Sequence, residues 1–325
     1  MAFTRNEVLT LEDFIKLPTS TVWGAIDEAY NAGTNPFRTA GVLTSSPLIS
    51  RSLTDGEGIR TEVQAWNDIE YVESNISNDD PNDHATPLKM DTKLWSAVRA
   101  HRNMGVSGMN LVQDFTATDP LAALSARVAN YKNNDEVTQF FAVLDGLIAG
   151  DAVAKDFTFE MDTDFDIKNV LRALQAKKGD NAGIIKTIGF NSERYLDLQL
   201  LNLVDKNTTD TGVVIPSVAG LNIVVDDRFG SRIVGLGDNL FHVGNAPQSR
   251  KSVAVEADES AGNGSGQETI WFRWKNIIHP MGFNYSGTFV AKGGPSFAEL
   301  READAYTPAT DPKKIPLVVI KPAVV

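Results

Sequence analysis

The chain holds four histidines, and one of them lies among acids at a spacing that could hold a metal ion. The set is Asp79, Asp80, Asp83 and His84. Carboxylate oxygens and imidazole nitrogens are common ligands of divalent metals. The neighbouring residues, however, are those of a polar turn that has few side chains to bury. The sequence therefore favours a solvated turn over a metal site.

A second acidic cluster, Asp162, Asp164 and Asp166, resembles the start of a calcium-binding loop. Such a loop needs a glycine at its sixth position and a closing glutamate, and Ile167 and Lys168 follow here instead. Acids near the first turn of a helix interact favourably with the helix dipole. We therefore expect a helix N-terminus, with Thr163 as its cap.

Two further groups are candidates for catalysis. Asp226 and Asp227 follow an apolar run at 223–225, and active sites of α/β proteins often lie at such strand ends. His279 precedes Pro280 at a strand-to-turn transition. A catalytic histidine needs an orienting partner and a nucleophile, and no motif supplies them. We expect a structural hydrogen-bonding role for His279 and no enzymatic activity; a hydrolase or metal-dependent enzyme built on Asp226 and Asp227 is the least favoured alternative.

Glycine-rich stretches do not supply a nucleotide site either. Gly235-x-Gly237 and Gly262-x-Gly264-x-Gly266 match neither the dinucleotide-binding nor the phosphate-loop spacing. Ser265 lacks the G-x-S-x-G context of a nucleophile. We expect loops at both stretches, and we predict no catalytic residue, no cofactor and no bound metal.

Composition narrows the class of protein further. The 325 residues are 42% hydrophobic and 22% charged, which are ordinary globular values. The formal net charge of −12 argues against a high-affinity nucleic-acid binder and against attachment to an anionic membrane. The absence of cysteine excludes disulfides and thiolate-bound metals. Without a signal-peptide pattern or a run of about 20 apolar residues, we expect a protein of the reducing cytosol.

The first third of the chain predicts helices and a long polar excursion. Apolar spacing indicates two helices within 7–32, an irregular segment at 40–58, strand character at 59–76 and a loop-type tip at 74–87. Residues 51–90 contain nine acids opposed only by Arg51, Arg60 and Lys89. Such a two-stranded element is marginally stable alone. We therefore expect it to pack on a neighbouring molecule, and we expect deletion of 52–86 to leave a folded subunit that cannot assemble.

The remainder predicts a helical region followed by alternating elements. A helical segment opens at Leu94 and is interrupted at 105–108, and a helix of about 45 Å follows Asp119-Pro120, with Asn133-Asn134 as its weak point. The pattern further predicts a helix ended by Gly179, a strand at 184–190, a helix capped by Ser192, strands at 213–218 and 220–227 joined by a turn, a flexible acidic loop at 256–268, strands at 270–278 and 283–290, and an extended tail after Pro308.

Three local phrases in this order carry a resemblance to a known family. They are the strand at 184–190 followed by Asn191-Ser192-x-x-Tyr195-Leu196, Gly220-x-x-Ile223-Val224-Val225-Asp226-Asp227, and Trp274 to Ile278 followed by His279-Pro280-x-Gly282-Phe283. Together they resemble the major capsid proteins of tailed phages, which have the Hong Kong ninety-seven-like fold. The resemblance covers most of the chain.

The resemblance implies an α+β fold with an N-terminal arm at 1–45 and an E-loop at 46–91. A peripheral domain at 92–159 and 241–325 would contain a spine helix at about 119–149, and an axial domain would occupy 160–240. The implied function is self-assembly into the icosahedral head shell that encloses double-stranded DNA. An encapsulin-like shell protein and a phage tail subunit are the alternatives; a cargo-loading groove or pore would identify the first, and a helical tube the second.

The implied partners are the chain itself in hexamers and pentamers, a separate scaffolding protein, a portal and a decoration protein, with DNA enclosed without sequence-specific binding and no membrane contact. The chain opens almost directly on the arm, so we expect no N-terminal scaffolding segment. Assembly is expected in the host cytoplasm and residence in the virion. Eight basic residues could line a mildly positive inner face of the shell or could lie on solvated helix faces. They are Arg99, Arg102, Arg127, Lys132, Lys168, Arg172, Lys177 and Lys178.

Some members of the family join subunits by an isopeptide bond from an E-loop lysine to a neighbouring asparagine. Residues 46–88 contain no lysine, and we place Lys89 at the base of the loop. Arg51 and Arg60 cannot substitute because a guanidinium stays protonated. We therefore expect a non-covalent shell, held by E-loop and arm contacts.

Overall fold

The computed structural model describes residues 26, 35–54, 58–66, 69, 71–90, 92–109, 120–150, 155–161, 166–208 and 214–321. Its helices are α1 (Pro36–Thr39), α2 (Pro47–Thr54), α3 (Pro120–Ala149), α4 (Ile167–Lys178), α5 (Ser192–Leu200), α6 (Ala261–Gly264) and α7 (Phe297–Leu300). Its strands are β1 (Leu43–Ser45), β2 (Arg60–Trp66), β3 (Thr92–Val98), β4 (Ala100–Met109), β5 (Thr158–Glu160), β6 (Ile185–Phe190), β7 (Asp205–Thr208), β8 (Val214–Val218), β9 (Leu221–Val225), β10 (Ile233–Gly237), β11 (Phe241–Pro247), β12 (Val253–Asp258), β13 (Gln267–Pro280), β14 (Phe283–Tyr285), β15 (Tyr306–Pro308) and β16 (Leu317–Lys321).

Helix α3 is the longest element in the described part of the chain. Its 30 residues extend about 45 Å at ~1.5 Å per residue. Pro120 occupies the first helical position, where its missing N–H is no loss. The helix passes through Asn133-Asn134 as one element, so the long helix predicted from the sequence is confirmed.

Phenylalanine rings connect α3 to the main hydrophobic core. The ring of Phe140 lies 4.4 Å from that of Phe37 in α1 and 4.9 Å from that of Phe241 in β11, centroid to centroid. The ring of Phe141 lies 5.0 Å from that of Phe229. Such aromatic pairs add about 0.5–1.5 kcal/mol each beyond the burial of their area. The second half of α3 is therefore the centre of the fold.

The first sheet is built around β13, which has 14 residues. Strands β11 and β12 pair with one edge of β13 and β4 pairs with the other, all antiparallel, while β1 lies parallel to β11. Ile270, Phe272 and Trp274 alternate along β13 and are buried in one cluster with Val128 of α3 and Ile26. Ile26 is helical; the rest of the helices predicted at 7–32 lies outside the described residues.

The predicted helical segment from Leu94 is wrong, because strands β3 and β4 occupy this stretch. Glycine lowers helix propensity by about 1 kcal/mol relative to alanine, and Gly105 and Gly108 both lie in β4. The side chain of Trp271 covers Gly105, where a Cβ would come within 2.8 Å of the indole ring. Pairing with β13 thus decides the conformation of β4, whereas β3 pairs with β2.

The second sheet has the strand order β5-β16-β10-β6-β9-β8-β7. On one face, Val170 and Leu174 of α4 and Leu198 of α5 pack with Ile188 and Val318. The opposite face contributes alternate residues to the core around α3. The α/β character predicted for the middle of the chain is confirmed. The tail after Pro308, which was predicted to be extended, contributes β16 to this sheet.

Local chain signals explain several boundaries. Ala219 and Gly220 have φ values of 51° and 83° and join β8 to β9, which is the left-handed pair that a tight hairpin prefers. Asn191 accepts a hydrogen bond from the Arg194 N–H and caps α5, so Ser192 is the first helical residue and its predicted role as the cap is wrong. Asp166 caps α4 in the same way; the predicted cap Thr163 lies outside the described residues.

Three stretches predicted as irregular form regular structure. Residues 40–58 contain α2, which begins at Pro47 and buries Ile49 and Leu53, four residues apart, against β11 and β13. Of the predicted acidic loop at 256–268, residues 256–258 and 267–268 belong to β12 and β13, whereas 259–266 form the connection between these strands, with the short and irregular α6. Gly235 and Gly237 belong to β10. A Cβ at Gly235 would meet the side chain of Leu174, and a Cβ at Gly237 would meet that of Pro316.

Strands β2 and β3 form a separate two-stranded ribbon. They pair antiparallel from Arg60↔Val98 to Trp66↔Thr92. Beyond the paired residues, the described residues 71–90 form neither helix nor strand and are exposed throughout. We call the paired strands the ribbon and residues 71–90 the ribbon tip. A two-stranded element is present, as predicted, but its second strand lies at 92–98, beyond the predicted excursion at 51–90, and none of the strand character predicted for 59–76 extends into the described residues 71–76.

Candidate assembly surfaces

The acids and histidine of the ribbon tip do not form a metal site. Asp79, Asp80, Asp83 and His84 are all exposed. Asp83 accepts a hydrogen bond from the Asn78 side chain, and Asp80 accepts one from the Asn82 N–H. These are hydrogen bonds of a turn. Among the described residues, no group of three or more potential ligands is placed to hold a metal ion.

The predicted strand-end acids have structural roles. Asp226 accepts a hydrogen bond from the Arg228 N–H and pairs with the Arg228 guanidinium at 2.6 Å. Asp227 accepts hydrogen bonds from the N–H and hydroxyl of Ser192, at 2.9 and 2.6 Å. These bonds lower the pKa of Asp227. The pair therefore connects the end of β9 to the start of α5. Of the predicted calcium cluster, Asp166 is a helix cap, and Asp162 and Asp164 lie outside the described residues.

The buried His279 stands opposite His242 across β13 and β11. Burial, and to a lesser extent the charge of His242, lowers the pKa of His279 to about 3. In the described structure the His279 Nε2 atom has no hydrogen-bond partner. The predicted hydrogen-bonding role therefore does not extend to this nitrogen. The Trp95 ring lies 6.3 Å from the His279 ring, and the imidazole is a neutral packing group there.

The predicted basic face is not continuous. Arg99, Lys132 and Lys178 are buried, whereas Arg127, Lys168 and Arg172 are exposed. The Lys178 Nζ donates hydrogen bonds to the carbonyls of Pro312 and Ile315, at 2.7 and 2.6 Å, and burial is the main cause that lowers its pKa to about 8. Buried cations of this kind hold the fold together and cannot line a cavity.

The body-proximal end of the ribbon is held firmly. The Arg60 guanidinium donates hydrogen bonds to the carbonyls of Tyr285 and Gly287. The Ser96 N–H donates to the Asn284 side chain at 3.1 Å. The Arg99 guanidinium donates to the Thr61 hydroxyl and to the Ser52 carbonyl. The direction in which the ribbon leaves the body is therefore fixed.

The ribbon tip and the end of the ribbon next to it expose large apolar side chains. Trp66 is 69% exposed, Tyr71 91% and Ile76 88%. Ile69, Val72, Leu88, Met90 and Leu94 are more than half exposed or close to it. Contiguous exposed apolar residues on a folded protein mark interaction surfaces. Sequence reasoning located the ribbon by its acids and used Trp66, Ile69 and Tyr71 only as signals of strand character, without assigning them to an exposed apolar surface.

Lys89 lies on the distal side of the ribbon, and its predicted position at the base is wrong. The residue precedes Thr92, which pairs with Trp66 at the far end of the ladder, and its side chain is exposed. The base of the ribbon is instead the pair Arg60↔Val98. An amine is therefore present in the ribbon tip.

The segment before the ribbon is fastened to α3 by a partly buried ion pair. The Arg38 guanidinium donates two hydrogen bonds of 2.7 Å to the two carboxylate oxygens of Glu136. The Asn35 side chain donates a third, of 3.1 Å, to the same carboxylate. Bidentate pairing of this kind is geometrically specific. It fixes α1 against α3, whereas the ribbon tip remains exposed.

No helix in the described ranges is long and apolar enough to cross a membrane. No family model matches the chain. The chain is 24% identical over 295 residues to the major capsid protein of Bacillus phage SPP1. The match covers 88% of this chain and 90% of the relative. A solved structure from Microbacterium phage Oxtober96 is similar with a TM-score of 0.52 and 11% identity, over 90% of this chain and 92% of the other. The capsid of Ralstonia phage GP4 is similar with a TM-score of 0.51 and 12% identity, over 76% and 87%.

The architecture is that of tailed-phage capsid subunits, and the α+β capsid fold predicted from the sequence is confirmed. The comparisons also support the function predicted with it, that of a phage major capsid protein, a subunit of the head shell located in the virion. The comparisons thus favour the capsid over the encapsulin-like and tail alternatives.

Proposed function

We propose that copies of this chain hold one another by laying the ribbon of one subunit on the body of the next. The observation that carries this proposal is the apolar surface of Trp66, Tyr71 and Ile76, which stays exposed on an element whose base is fixed. Full burial of a large apolar side chain contributes about 1.5–3 kcal/mol. Three such side chains supply several kcal/mol for each subunit contact.

The fixed base strengthens this contact. A freely hinged ribbon would lose conformational freedom on docking, at about 1–2 kcal/mol per residue ordered. Arg60 and Arg99 hold the base in the free subunit, so part of that ordering has already taken place. Repetition of the contact around a closed shell then multiplies its effect.

We further propose the partners that the shell requires. The chain forms hexamers and pentamers with itself and works with a separate scaffolding protein, a portal and a decoration protein. The shell is icosahedral and encloses double-stranded DNA without sequence-specific contacts, which is in keeping with a net charge of −12. Assembly takes place in the host cytoplasm. The subunit acts as a structural element and not as an enzyme, since Asp226, Asp227 and Asp166 all serve structural hydrogen bonds.

Substitution of the exposed ribbon side chains tests the ribbon contact. We expect Trp66→Ser combined with Tyr71→Ser to leave the subunit folded and to abolish the rapidly sedimenting particles that the unchanged chain forms with its scaffolding protein. Ser74→Ala combined with Ser77→Ala is the matched control, because both serines are exposed in the same segment. Equal particle yields from the first pair and the control would show that the ribbon is not the contact.

A further inference from the structure

The connection between β12 and β13 contains the one Asn-Gly pair of the sequence, Asn263-Gly264. Both residues are exposed to solvent. They belong to α6, whose backbone is irregular: Asn263 has φ 58° and ψ 44°, and Gly262 before it has φ 63°. Left-handed conformations of this kind are adopted by single residues and do not continue as a helix. The pair therefore lies in an exposed turn and not in a regular helix.

This turn is closed at its ends and open at its centre. The Gly266 N–H donates a hydrogen bond of 3.0 Å to the Ala261 carbonyl. The Ser265 N–H lies 3.4 Å from the Gly262 carbonyl oxygen, which is long for a hydrogen bond. A Cβ built at Gly264 would meet no atom within 4 Å. The peptide that follows the asparagine therefore has room to change its conformation.

We propose that Asn263 is a site of spontaneous deamidation, which converts it to aspartate and isoaspartate in the folded subunit. The reacting groups are the side-chain amide of Asn263 and the backbone nitrogen of Gly264, with water as the co-reactant. Ring closure brings that nitrogen onto the Cγ atom of the asparagine. Glycine hinders this approach least, because it has no Cβ and its backbone rotates freely. The inference does not depend on the proposed function.

The reaction takes place in two steps without oxidation or reduction. The Gly264 nitrogen gives its proton to water and forms a bond to the Asn263 Cγ atom, while the Cγ–Nδ2 bond breaks and Nδ2 leaves as ammonia with a proton taken from water. The product is a cyclic succinimide. Water then opens this ring: cleavage at Cγ gives aspartate, and cleavage at the backbone carbonyl carbon gives isoaspartate. Each conversion consumes one water and releases one ammonia.

Two other asparagines show why the following glycine matters. Asn202 is exposed and has φ 53°, close to the value of Asn263, but a leucine follows it. The side chain of that leucine hinders ring closure. Asn191 precedes Ser192, and its side-chain oxygen accepts a hydrogen bond from the Arg194 N–H, which holds the amide at the start of α5. We therefore expect both asparagines to react much more slowly than the Asn-Gly pair.

Each conversion adds a negative charge to a connection that already carries acids. Burial, and next the charge of Glu259, raises the pKa of Glu268. A new carboxylate at position 263 adds to this repulsion between like charges. It also makes the formal net charge of the chain, −12, more negative by one unit. Isoaspartate further lengthens the backbone, because the chain then runs through the Cβ and Cγ atoms. The connection thus becomes more acidic and longer as the protein ages.

Incubation of the purified subunit, followed by peptide mass spectrometry, tests the site. We expect the peptide that contains Asn263 to gain the mass of replacing NH2 by OH, and part of the product to accept a methyl group from an isoaspartyl methyltransferase. A synthetic peptide of residues 256–268 gives the reference rate. The rate in the folded subunit should lie within about threefold of it, since exposed turns open at almost no cost in free energy. A subunit that stays unchanged while the peptide converts overturns the inference.

Two alanine variants separate the reaction from a general loosening of the turn. Gly264→Ala places a Cβ beside the attacking nitrogen, and we expect it to slow the conversion at least about tenfold, which corresponds to ~1.4 kcal/mol in the barrier. Gly262→Ala is the matched control, because it also places a Cβ at a positive φ in the same turn. It should leave the rate within about threefold, since the attacking nitrogen still belongs to a glycine. Equal rates for the two variants contradict the proposed reaction.

Discussion

At the scale of single residues, Gly146 sets how closely α3 and α7 approach. A Cβ at this position would overlap the carbonyl oxygen of Leu300, which belongs to α7. Glycine within a helix is otherwise unfavourable by about 1 kcal/mol relative to alanine. Gly146 is therefore required although alanine would favour the helix, because the backbone of α7 occupies the space that a side chain would need.

We expect Gly146→Ala to lower the free energy of unfolding by about 1–3 kcal/mol, since the overlap outweighs the gain in helix propensity. Urea denaturation of the unassembled subunit measures this. Gly183→Ala is the control, because a Cβ there meets no atom within 4 Å. Equal midpoints for the two variants would mean that α7 moves aside without loss.

The buried His279 makes the fold sensitive to acid. Its pKa is lowered by burial from 6.5 to about 3. Between these pH values the unfolded chain binds a proton that the folded chain does not, so stability falls as the pH drops from about 6.5 towards 3. We expect His279→Leu to remove this loss, which reaches about 1.4 kcal/mol per pH unit. Unfolding free energies of both proteins between pH 7 and 4 measure it; parallel curves would contradict the expectation.

At the scale of elements, local signals were sufficient where an element makes its own hydrogen bonds. Helix α3 is visible in the spacing of Val137, Phe140, Phe141 and Leu144, and the hairpin of β8 and β9 in its turn. Strand β4 was predicted wrongly because its conformation depends on β13, about 170 residues later, and β3 because it pairs with β2 across the ribbon tip. No local pattern near Gly105 reveals that a distant Trp271 covers it.

The assembly surfaces were predictable to a similar degree. The nine acids located the ribbon, and the turn residues located its tip. The exposure of Leu196, Leu200 and Leu201 at the end of α5 was not predicted, because these leucines resemble an ordinary core-facing pattern. Which face of a helix is covered depends on the sheet beneath it, and Leu198 is the residue buried there. Sequence spacing identified the helix and could not assign its exposed side.

The burial of α2 limits which residues can be deleted without unfolding the subunit. Deletion of 52–86 would remove Leu53, which is fully buried, and Thr61. We now expect that deletion to unfold the subunit, whereas replacement of 67–91 by Asn-Gly leaves it folded. Trp66 and Thr92 are opposite each other, so a two-residue turn can join them. Circular dichroism and thermal melting compare the two; unfolding of the second variant would place the ribbon tip in the core.

At the scale of the whole molecule, the shell is expected to hold without covalent links. The side chain of Lys89 is exposed in the ribbon tip, whereas attack on an amide needs an amine in an apolar pocket, where burial favours its neutral form. Boiling mature particles in detergent should therefore give a single band near 35.3 kDa. A ladder that disappears in Lys89→Ala particles would show instead that Lys89 forms a cross-link after docking.

Strand β16 lies between β5 and β10, although its residues are made after every other described element. The ribosome therefore releases β5 and β10 long before the strand that separates them. Until Leu317–Lys321 emerge, the nascent chain has a gap within its second sheet and lacks the side chains of Val318 and Ile320 from one core. Long-range pairing of this kind is slow to form. Synthesis itself thus delays completion of the second sheet until β16 has been made.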